Sequence, residues 1–269
     1  MKPAPFDYLR ADDISAALSA LHDAGEDARV LAGGQSLGAM LNMRLAKPSL
    51  LIDIMHIEAL GAIREEKAAL VIPACVTQEA LLRRSDLHPL LAKALPWTGH
   101  VQTRARGTVC GSIAHADPSA ELPLCLALLG GEVSIRSRRK RRTVQAADFF
   151  RGMMLTDLRP GEMIEAVRIP LARKNQRFAF TEIGRRHGDF AIVAVAAMRE
   201  GDTLRLTVGG VNDTPAIREW ATLDTADIPD ALNDLAWSLD ARDDLHATAR
   251  YRRDLVRNLG RIVIEEVSS

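Results

Sequence analysis

Two glycine–serine stretches carry the residue types with the most chemical reach. The first, VLAGGQSLGAML (Val30 to Leu41), contains Gly34-Gln35-Ser36-Leu37-Gly38. As a string this is G-x-S-x-G, the nucleophile elbow of α/β-hydrolases, whose serine attacks an acyl carbon. The same residues form a glycine turn after a short apolar run, a backbone able to wrap a phosphate with its N–H groups. Ser36 is therefore either a nucleophile or a hydrogen-bond donor to a bound anion. The second stretch, RGTVCGSIAHADPSAEL (Arg106 to Leu122), offers Gly107, Thr108, Gly111 and Ser112 in a run opening onto a helix.

Position argues against the nucleophile. An elbow serine follows several strands and an earlier oxyanion loop, whereas only one strand, within ARVLAGG, is readable before Ser36. An acid and a histidine in triad order exist with His187 or His246, but any chain of this size offers such a pair. A P-loop needs a lysine after its glycines, and none follows here; nor is this a G-x-G-x-x-G at the head of a dinucleotide fold. A structural glycine turn remains open for either stretch alone. Together, the glycines allow close backbone approach and the Ser and Thr hydroxyls add donors. Two such loops can clasp one pyrophosphate from both sides. Asp117 and Glu121 can then accept from sugar or ribityl hydroxyls, which suits a dinucleotide better than a triphosphate.

The elements that must position these loops follow from periodicity. Asp12-Asp13 can cap a helix with Ile14, Ala17, Leu18 and Leu21 on one face, ending near Gly25. ARVLAGG reads as a strand into a turn and SLLIDIM as a buried strand, so the first 55 or so residues form a β-α-β-like unit. GAIREE and ALVIPACVT suggest paired strands, and a Thr77 cap opens one or two helices. Gln102 onward reads as a long loop, followed by an apolar helix from about Ser119. EVSIRS and RTVQAADFF flank a basic turn, and EMIEAVRIP is a strand ending at Pro170. Beyond it lie three apolar runs broken by Gly-Asp turns, then two helical segments with basic exposed faces. A boundary falls near 170 to 177.

Bulk properties narrow the class. At 47% hydrophobic residues the 269-residue chain can bury sizeable cores, with aliphatic rather than aromatic packing, since aromatics are only 4%. Zero formal net charge disfavours nucleic acid as the main partner. The longest apolar runs fall short of the roughly 20 residues that span a bilayer, and the N-terminus lacks a secretory h-region. A cytoplasmic protein is expected. Cys75, Cys110 and Cys125 have no C-x-x-C spacing, which argues against a disulfide framework, a zinc site or an iron–sulfur cluster in this chain.

AGGQSLGAMLNMRLAKPSLLIDI followed by RGTVCGSIAHADPSAELP resembles the FAD-binding (medium) subunit of molybdenum hydroxylases, the family of carbon monoxide and xanthine dehydrogenases. RRHGDFAIVAVAA (Arg185 to Ala197) and YRRDLVRNL (Tyr251 to Leu259) resemble its C-terminal domain. The resemblance implies an α+β fold: a PCMH/vanillyl-alcohol-oxidase-type FAD-binding domain over 1–172, in subdomains of about 1–56 and 57–172. A C-terminal α+β domain of the CO dehydrogenase flavoprotein type follows over 173–269. FAD would lie between them.

By position, Leu31, Ala32, Gly33, Gly34, Gln35, Ser36 and Leu37 would form the first pyrophosphate loop, and Gly107, Thr108, Gly111 and Ser112 the second. His115, Asp117 and Glu121 would contact ribityl or phosphate groups, Met163 and Ile164 the isoalloxazine edge through backbone, and Phe190 the ring. No residue of this chain need be a catalytic acid or base, or a metal ligand. The molybdenum cofactor would sit in a large partner subunit and two [2Fe-2S] clusters in a small one, as a dimer of heterotrimers. This chain would relay electrons to an external acceptor. A free-standing FAD-dependent oxidoreductase of the same fold and a flavin-free interaction protein are the alternatives.

Two departures from the family pattern stand out. Cys110 replaces the first glycine of a T-[IV]-G-G-[SN] loop. Phe180-Thr181-Glu182 stands where many members carry a lysine near the flavin. Of the remaining features, the RSRRKRR turn (Arg136 to Arg142) reads as a solvated hairpin, with docking to an acidic partner as the functional possibility. His187 is a turn residue or a flavin contact. Met40, Met43, Met153 and Met154 read as core packing.

Overall fold

The computed structural model describes residues 2–269. Its first unit alternates β1 (Asp7–Arg10), α1 (Ile14–Ala24), β2 (Ala28–Leu31), α2 (Gln35–Asn42) and β3 (Leu50–Asp53). The strands are parallel in the order β1-β3-β2, as helical crossovers require. The Asp13 carboxylate accepts from the Ala16 N–H at 2.8 Å and caps α1, whose buried stripe is Ala17, Leu18 and Leu21. Strand β1 was not legible in the sequence. DYLR is mostly exposed and exists as a strand because it pairs with β3, Asp7 opposite Leu50.

The second unit runs β4 (Arg64–Glu66), β5 (Ala69–Pro73), α3 (Gln78–Leu82), α4 (Pro89–Ala94), α5 (Val101–Arg106), α6 (Val109–His115) and α7 (Glu121–Leu128). It closes with β6 (Glu132–Ser137), β7 (Arg141–Gln145), α8 (Ala146–Phe149), β8 (Phe150–Gly152), β9 (Leu155–Thr156) and β10 (Glu162–Pro170). Its main sheet is antiparallel in the order β4-β5-β10-β6-β7. Thr77 caps α3, its Oγ1 accepting from the Ala80 N–H at 3.1 Å. The expected long loop before Ser119 is instead mostly helical, as α5 and α6. Each is under two turns, too short for a 3.6-residue pattern to declare itself. Likewise RTVQAADFF is a strand followed by one helical turn.

The third unit is a four-stranded antiparallel sheet, β11 (Gln176–Gly184), β12 (Ala191–Glu200), β13 (Thr203–Gly209) and β14 (Ala216–Trp220), followed by α9 (Ile228–Ser238) and α10 (Ala249–Ser268). Strand β12 reads as an unbroken apolar run because both its faces are covered. Ala194 and Ala196 join Phe178 and Phe180 in the core shared with α4 and α7. Val193, Val195 and Ala197 join Leu255, Leu259 and Val263 under α9 and α10. One core therefore passes without interruption from the first unit into the third.

The methionines depart from the expectation. Met43, Met153 and Met154 are half exposed rather than in the core. Met154 adopts φ 53° at the tip of the β8–β9 hairpin, an exposed position that nothing in the core demands. Among the described residues no helix is long and apolar enough to cross a membrane.

Candidate cofactor cradle

The first loop is the turn from β2 into α2. Gly34 takes φ 70° at the start of α2, a left-handed conformation that a side chain disfavours. No side chain caps this helix. Its first internal bond runs from the Gly38 N–H to the Gly34 carbonyl at 2.8 Å. The amides of Gln35, Ser36 and Leu37 therefore face outward at the positive end of a helix, the arrangement that binds anions. The Gln35 carboxamide folds back to donate to the Gly33 carbonyl at 3.1 Å and steadies the turn.

Gly33 joins the two loops. A Cβ at this position would lie 2.0 Å from the Arg106 carbonyl oxygen and 2.8 Å from Gly107 Cα. The second loop is pinned from behind: the Gln78 N–H donates to the Gly107 carbonyl at 2.8 Å, and the Val109 N–H to Val76 at 3.0 Å. Beside Gly107, the buried Oε1 of Gln78 has no hydrogen-bond partner. A cavity of about 350 Å³ opens where the loops meet, lined by residues 31–34 with Asp53, Met55, His56 and Arg106.

Sequence reasoning missed Asp53, Met55, His56 and Arg106, although a signal existed for the first. Asp53 is the last residue of β3 and the register partner of Leu31 in β2, and ligands collect at the carboxyl ends of parallel strands. Its carboxylate accepts from the Tyr8 hydroxyl at 2.6 Å and from the Met55 N–H at 2.8 Å.

The second loop works differently from the expectation of open glycine amides. Thr108 is buried, and its Oγ1 accepts from the Gly111 N–H at 3.0 Å, capping α6. A Cβ on Gly111 would sit 2.7 Å from that oxygen. A side chain at 111 would therefore crowd the capping hydroxyl. The Ser112 N–H is bonded to the Thr108 carbonyl at 3.2 Å.

Cys110 faces the core. Its Sγ lies 3.4 Å from the Ile72 carbonyl, and burial pushes the thiol up to about 12. The departure from the glycine pair therefore leaves the cradle open. Cys110→Gly is expected to destabilise the fold by about 2 kcal/mol, from helix propensity and lost burial, with FAD affinity unchanged; chemical denaturation and flavin titration measure both.

His115 Nε2 lies 3.9 Å from Asp117 Oδ2, and Asp117 Oδ1 accepts from the Ser119 N–H at 2.9 Å. Glu121 begins α7 and is buried, its carboxyl raised to about 7 by burial and by Asp117, with its own N–H and the Thr98 hydroxyl offsetting part of the rise. Met163 and Ile164 are buried in β10, paired with Arg136 and Ile135 of β6, and do not line the cavity between the loops. Phe190 is 64% exposed. It ends the loop after β11, which seats on the Trp97–His100 segment. His187 meets Trp97 edge-on at 5.2 Å, and a Cβ on Gly188 would lie 2.7 Å from the His100 ring. Where the family lysine would stand, Glu182 is buried, while Arg185 and Arg186 are exposed.

The basic hairpin is largely neutralised by its own surroundings. Arg136 and Arg141 both reach Glu165, Arg142 bonds Asp157 and Glu162, and Arg138 lies 3.6 Å from Asp23, which leaves Arg139 and Lys140 at the tip to recruit an acidic partner.

Comparison with known proteins decides the family. Residues 4–172 match the FAD binding domain in molybdopterin dehydrogenase, and residues 178–267 match the CO dehydrogenase flavoprotein C-terminal domain. The chain belongs to the FAD-binding medium subunits of the molybdenum hydroxylases. It is 35% identical over 275 residues to the 6-hydroxypseudooxynicotine dehydrogenase complex subunit alpha of Paenarthrobacter nicotinovorans, covering 96% of this chain and 93% of that one. It is also 35% identical over 229 residues to the carbon monoxide dehydrogenase medium chain of Afipia carboxidovorans, covering 82% and 80%. The crystal structure of a Cu,Mo-CO dehydrogenase in its cyanide-inactivated form superposes with a TM-score of 0.93 at 31% identity, over 99% of each chain. This medium subunit is thus an α+β, FAD-dependent oxidoreductase subunit.

The cradle fits that cofactor. FAD brings a dianionic pyrophosphate, and the uncapped α2 with Arg106 offers amides and a cation for it. The buried acceptor on Gln78 and the bare Gly33–Gly107 contact leave room for backbone approach only.

Proposed function

We propose that this chain is the electron-relay subunit of a heteromeric molybdenum hydroxylase. It would take electrons from two [2Fe-2S] clusters of a small subunit, with the substrate hydroxylated at a molybdenum cofactor in a large subunit. The assembly is a cytoplasmic dimer of heterotrimers. FAD, when bound, supplies a carrier that can be filled one electron at a time and emptied in a pair. The chain's own residues bind and orient it. The amides of Gln35, Ser36 and Leu37 and the Arg106 guanidinium hold the pyrophosphate. Gly33 and Gly107 bring the loops to contact distance, and His115, Asp117, Glu121 and Phe190 approach the remainder of the cofactor. Residues 1–172, in subdomains 1–56 and 57–172, form the FAD domain, and 173–269 close over it.

The observation that carries this reading is the uncapped α2 terminus set against the pinned Arg106–Gly107 backbone. In the complex isolated with its partner chains, stripping FAD is expected to abolish reduction of the external acceptor and leave the iron–sulfur centres reducible by substrate. Loss of iron–sulfur reduction as well would contradict the relay. Turnover of an organic substrate by this chain alone would favour the free-standing oxidoreductase.

A further inference from the structure

Two non-glycine residues hold left-handed backbones against each other. Ala116, at the end of α6, has φ 51°, and Met154, at the tip of the β8–β9 hairpin, has φ 53°. The Met154 N–H donates to the Ala116 carbonyl at 3.1 Å. Backbone strain of this kind gathers at ligand sites, where the surrounding structure holds it. The pinned tip carries Met153, Met154 and Leu155, which are 58%, 50% and 58% exposed. We propose that this tip, with Phe190 on the other side of the Ala116–Pro118 turn, seats the external acceptor, and that the acceptor is a quinone. The proposal rests on the electron-relay reading and adds to it the acceptor's chemical class and contacts.

The turn sets the seat beside the cofactor. His115 and Asp117, which in that reading meet the part of FAD beyond the pyrophosphate, flank Ala116 in the chain. At one end of the turn Ala116 holds Met154. At the other, the Pro118 carbonyl accepts from the Gly210 N–H at 2.8 Å. A Cβ on Gly210 would lie 3.1 Å from the carbonyl oxygen of Ala191, the residue after Phe190. The end Cα atoms of three residues lie at most about 7 Å apart. The hairpin tip and the start of β12 therefore border one short turn, and Phe190 stands there 64% exposed.

The hairpin is built to hold its tip still. At its base Phe149 and Phe150 are buried and meet edge-on at 5.4 Å, and the Asp157 N–H donates to the Phe149 carbonyl at 2.9 Å. The Asp157 carboxylate accepts from Arg151 at 3.0 Å and also from Arg142. Large apolar side chains left in solvent on an ordered turn, beside a cofactor, mark a binding surface. Methionine adapts to flat rings and packs its sulfur against them. A dinucleotide acceptor would need donors for a pyrophosphate, and the cations at the hairpin base are committed to Asp157 and Glu162. Arg185 and Arg186, exposed ahead of Phe190, suit the carbonyl oxygens of a quinone. Two electrons from reduced FAD, with two protons from it and from water, convert the quinone to its hydroquinone, so no other reactant is needed.

Isotope-labelled methionine methyls read the site by NMR without turnover. In the oxidised, FAD-loaded chain, naphthoquinone is expected to shift Met153 and Met154 and to leave Met43 unmoved. Met43 is the control, since it is 51% exposed but caps the far end of α2. Equal shifts at all three would be unspecific partition and would overturn the proposal. So would shifts caused by NAD in place of naphthoquinone, or shifts seen only on assembly with the partner chains. Met154→Gly removes the side chain and relieves the strained φ. Its unfolding midpoint should be no lower than that of the wild type, while naphthoquinone affinity falls about fivefold. Unchanged affinity, or a loss matched by a fall in the midpoint, contradicts the assignment. A chain that retains no flavin would sink the relay reading and this proposal with it. A yellow chain whose Met153 and Met154 ignore naphthoquinone would sink the proposal alone.

Discussion

Replacing Gly33 by alanine is expected to cost the chain its FAD. The added methyl carbon would lie 2.0 Å from the Arg106 carbonyl oxygen, a backbone atom that cannot rotate away. Neither loop has slack. Arg106 precedes Gly107, whose carbonyl holds the Gln78 amide and whose own N–H donates to Thr103 at 2.7 Å. On the other side, Gly33 sits between β2 and the first turn of α2. The methyl must therefore push the α2 amides out of register with the Arg106 side of the cradle. Displacement of that size lowers FAD affinity at least tenfold, about 1.4 kcal/mol. Ser36→Ala removes one hydroxyl from the same turn, at a half-buried position, and leaves the amides in place. Its cost is a few-fold, about 1 kcal/mol. Flavin content after denaturation and titration of the apo chain measure both, with circular dichroism showing that the fold persists. Equal losses in the two variants would show that the serine, and not the backbone contact, holds the cofactor.

The second large effect is expected at Arg252, within the YRRDLVRNL block of α10. This guanidinium is buried. Nη1 donates to the carbonyls of Ile192 at 2.6 Å and Gly210 at 2.7 Å, and Nη2 to Asp244 at 2.5 Å. It ties the helix to the turn after β13, whose Gly210 N–H in turn holds Pro118 ahead of α7. Arg252→Met keeps much of the volume but takes the donor from the buried Ile192 carbonyl and the part-buried Gly210 carbonyl, and leaves Asp244 without its cation. A loss of about 3 kcal/mol is expected in urea denaturation, most of it from the unsatisfied acceptors, since Asp244 is half in solvent. Arg252→Lys supplies a single ammonium in place of a fork and should recover only part of the loss. A cost below about 1 kcal/mol for the methionine variant would mean that those carbonyls find water instead.

Much of the architecture was legible because the sequence marks it locally. Asp13 and Thr77 announce α1 and α3 as caps, and the SLLIDI run announces β3. The unbroken apolar texture of AIVAVAA was readable as buried, but not that helices on one face and the FAD-binding domain on the other cover it. Strand β1 carries no apolar signal and exists through its partner. Helices α5 and α6 are too short for periodicity; α6 is held by the Thr108 cap and by packing against β5 and β10, and α5 packs against α3.

The site divides along the same line. Gly33, Gly34 and Ser36 could be read from the glycine turn, yet nothing local says that Gly33 touches Arg106. The inward direction of Cys110 depends on which face of α6 meets the sheet, which a seven-residue helix does not declare. Glu182 is the sharpest case. In sequence it is an ordinary acid in an exposed-looking FTEIGRR run, and only the register with Ala194 and Gly209 buries it beneath α7.

Hydrogen–deuterium exchange on the apo and FAD-reconstituted chain tests the central claim most directly. The cradle predicts that FAD slows exchange at the amides of Gln35, Ser36 and Leu37. Gly111, already bonded to Thr108, should change little beyond any general stabilisation. Saturating FAD that leaves those three α2 amides exchanging as in the apo chain would contradict it.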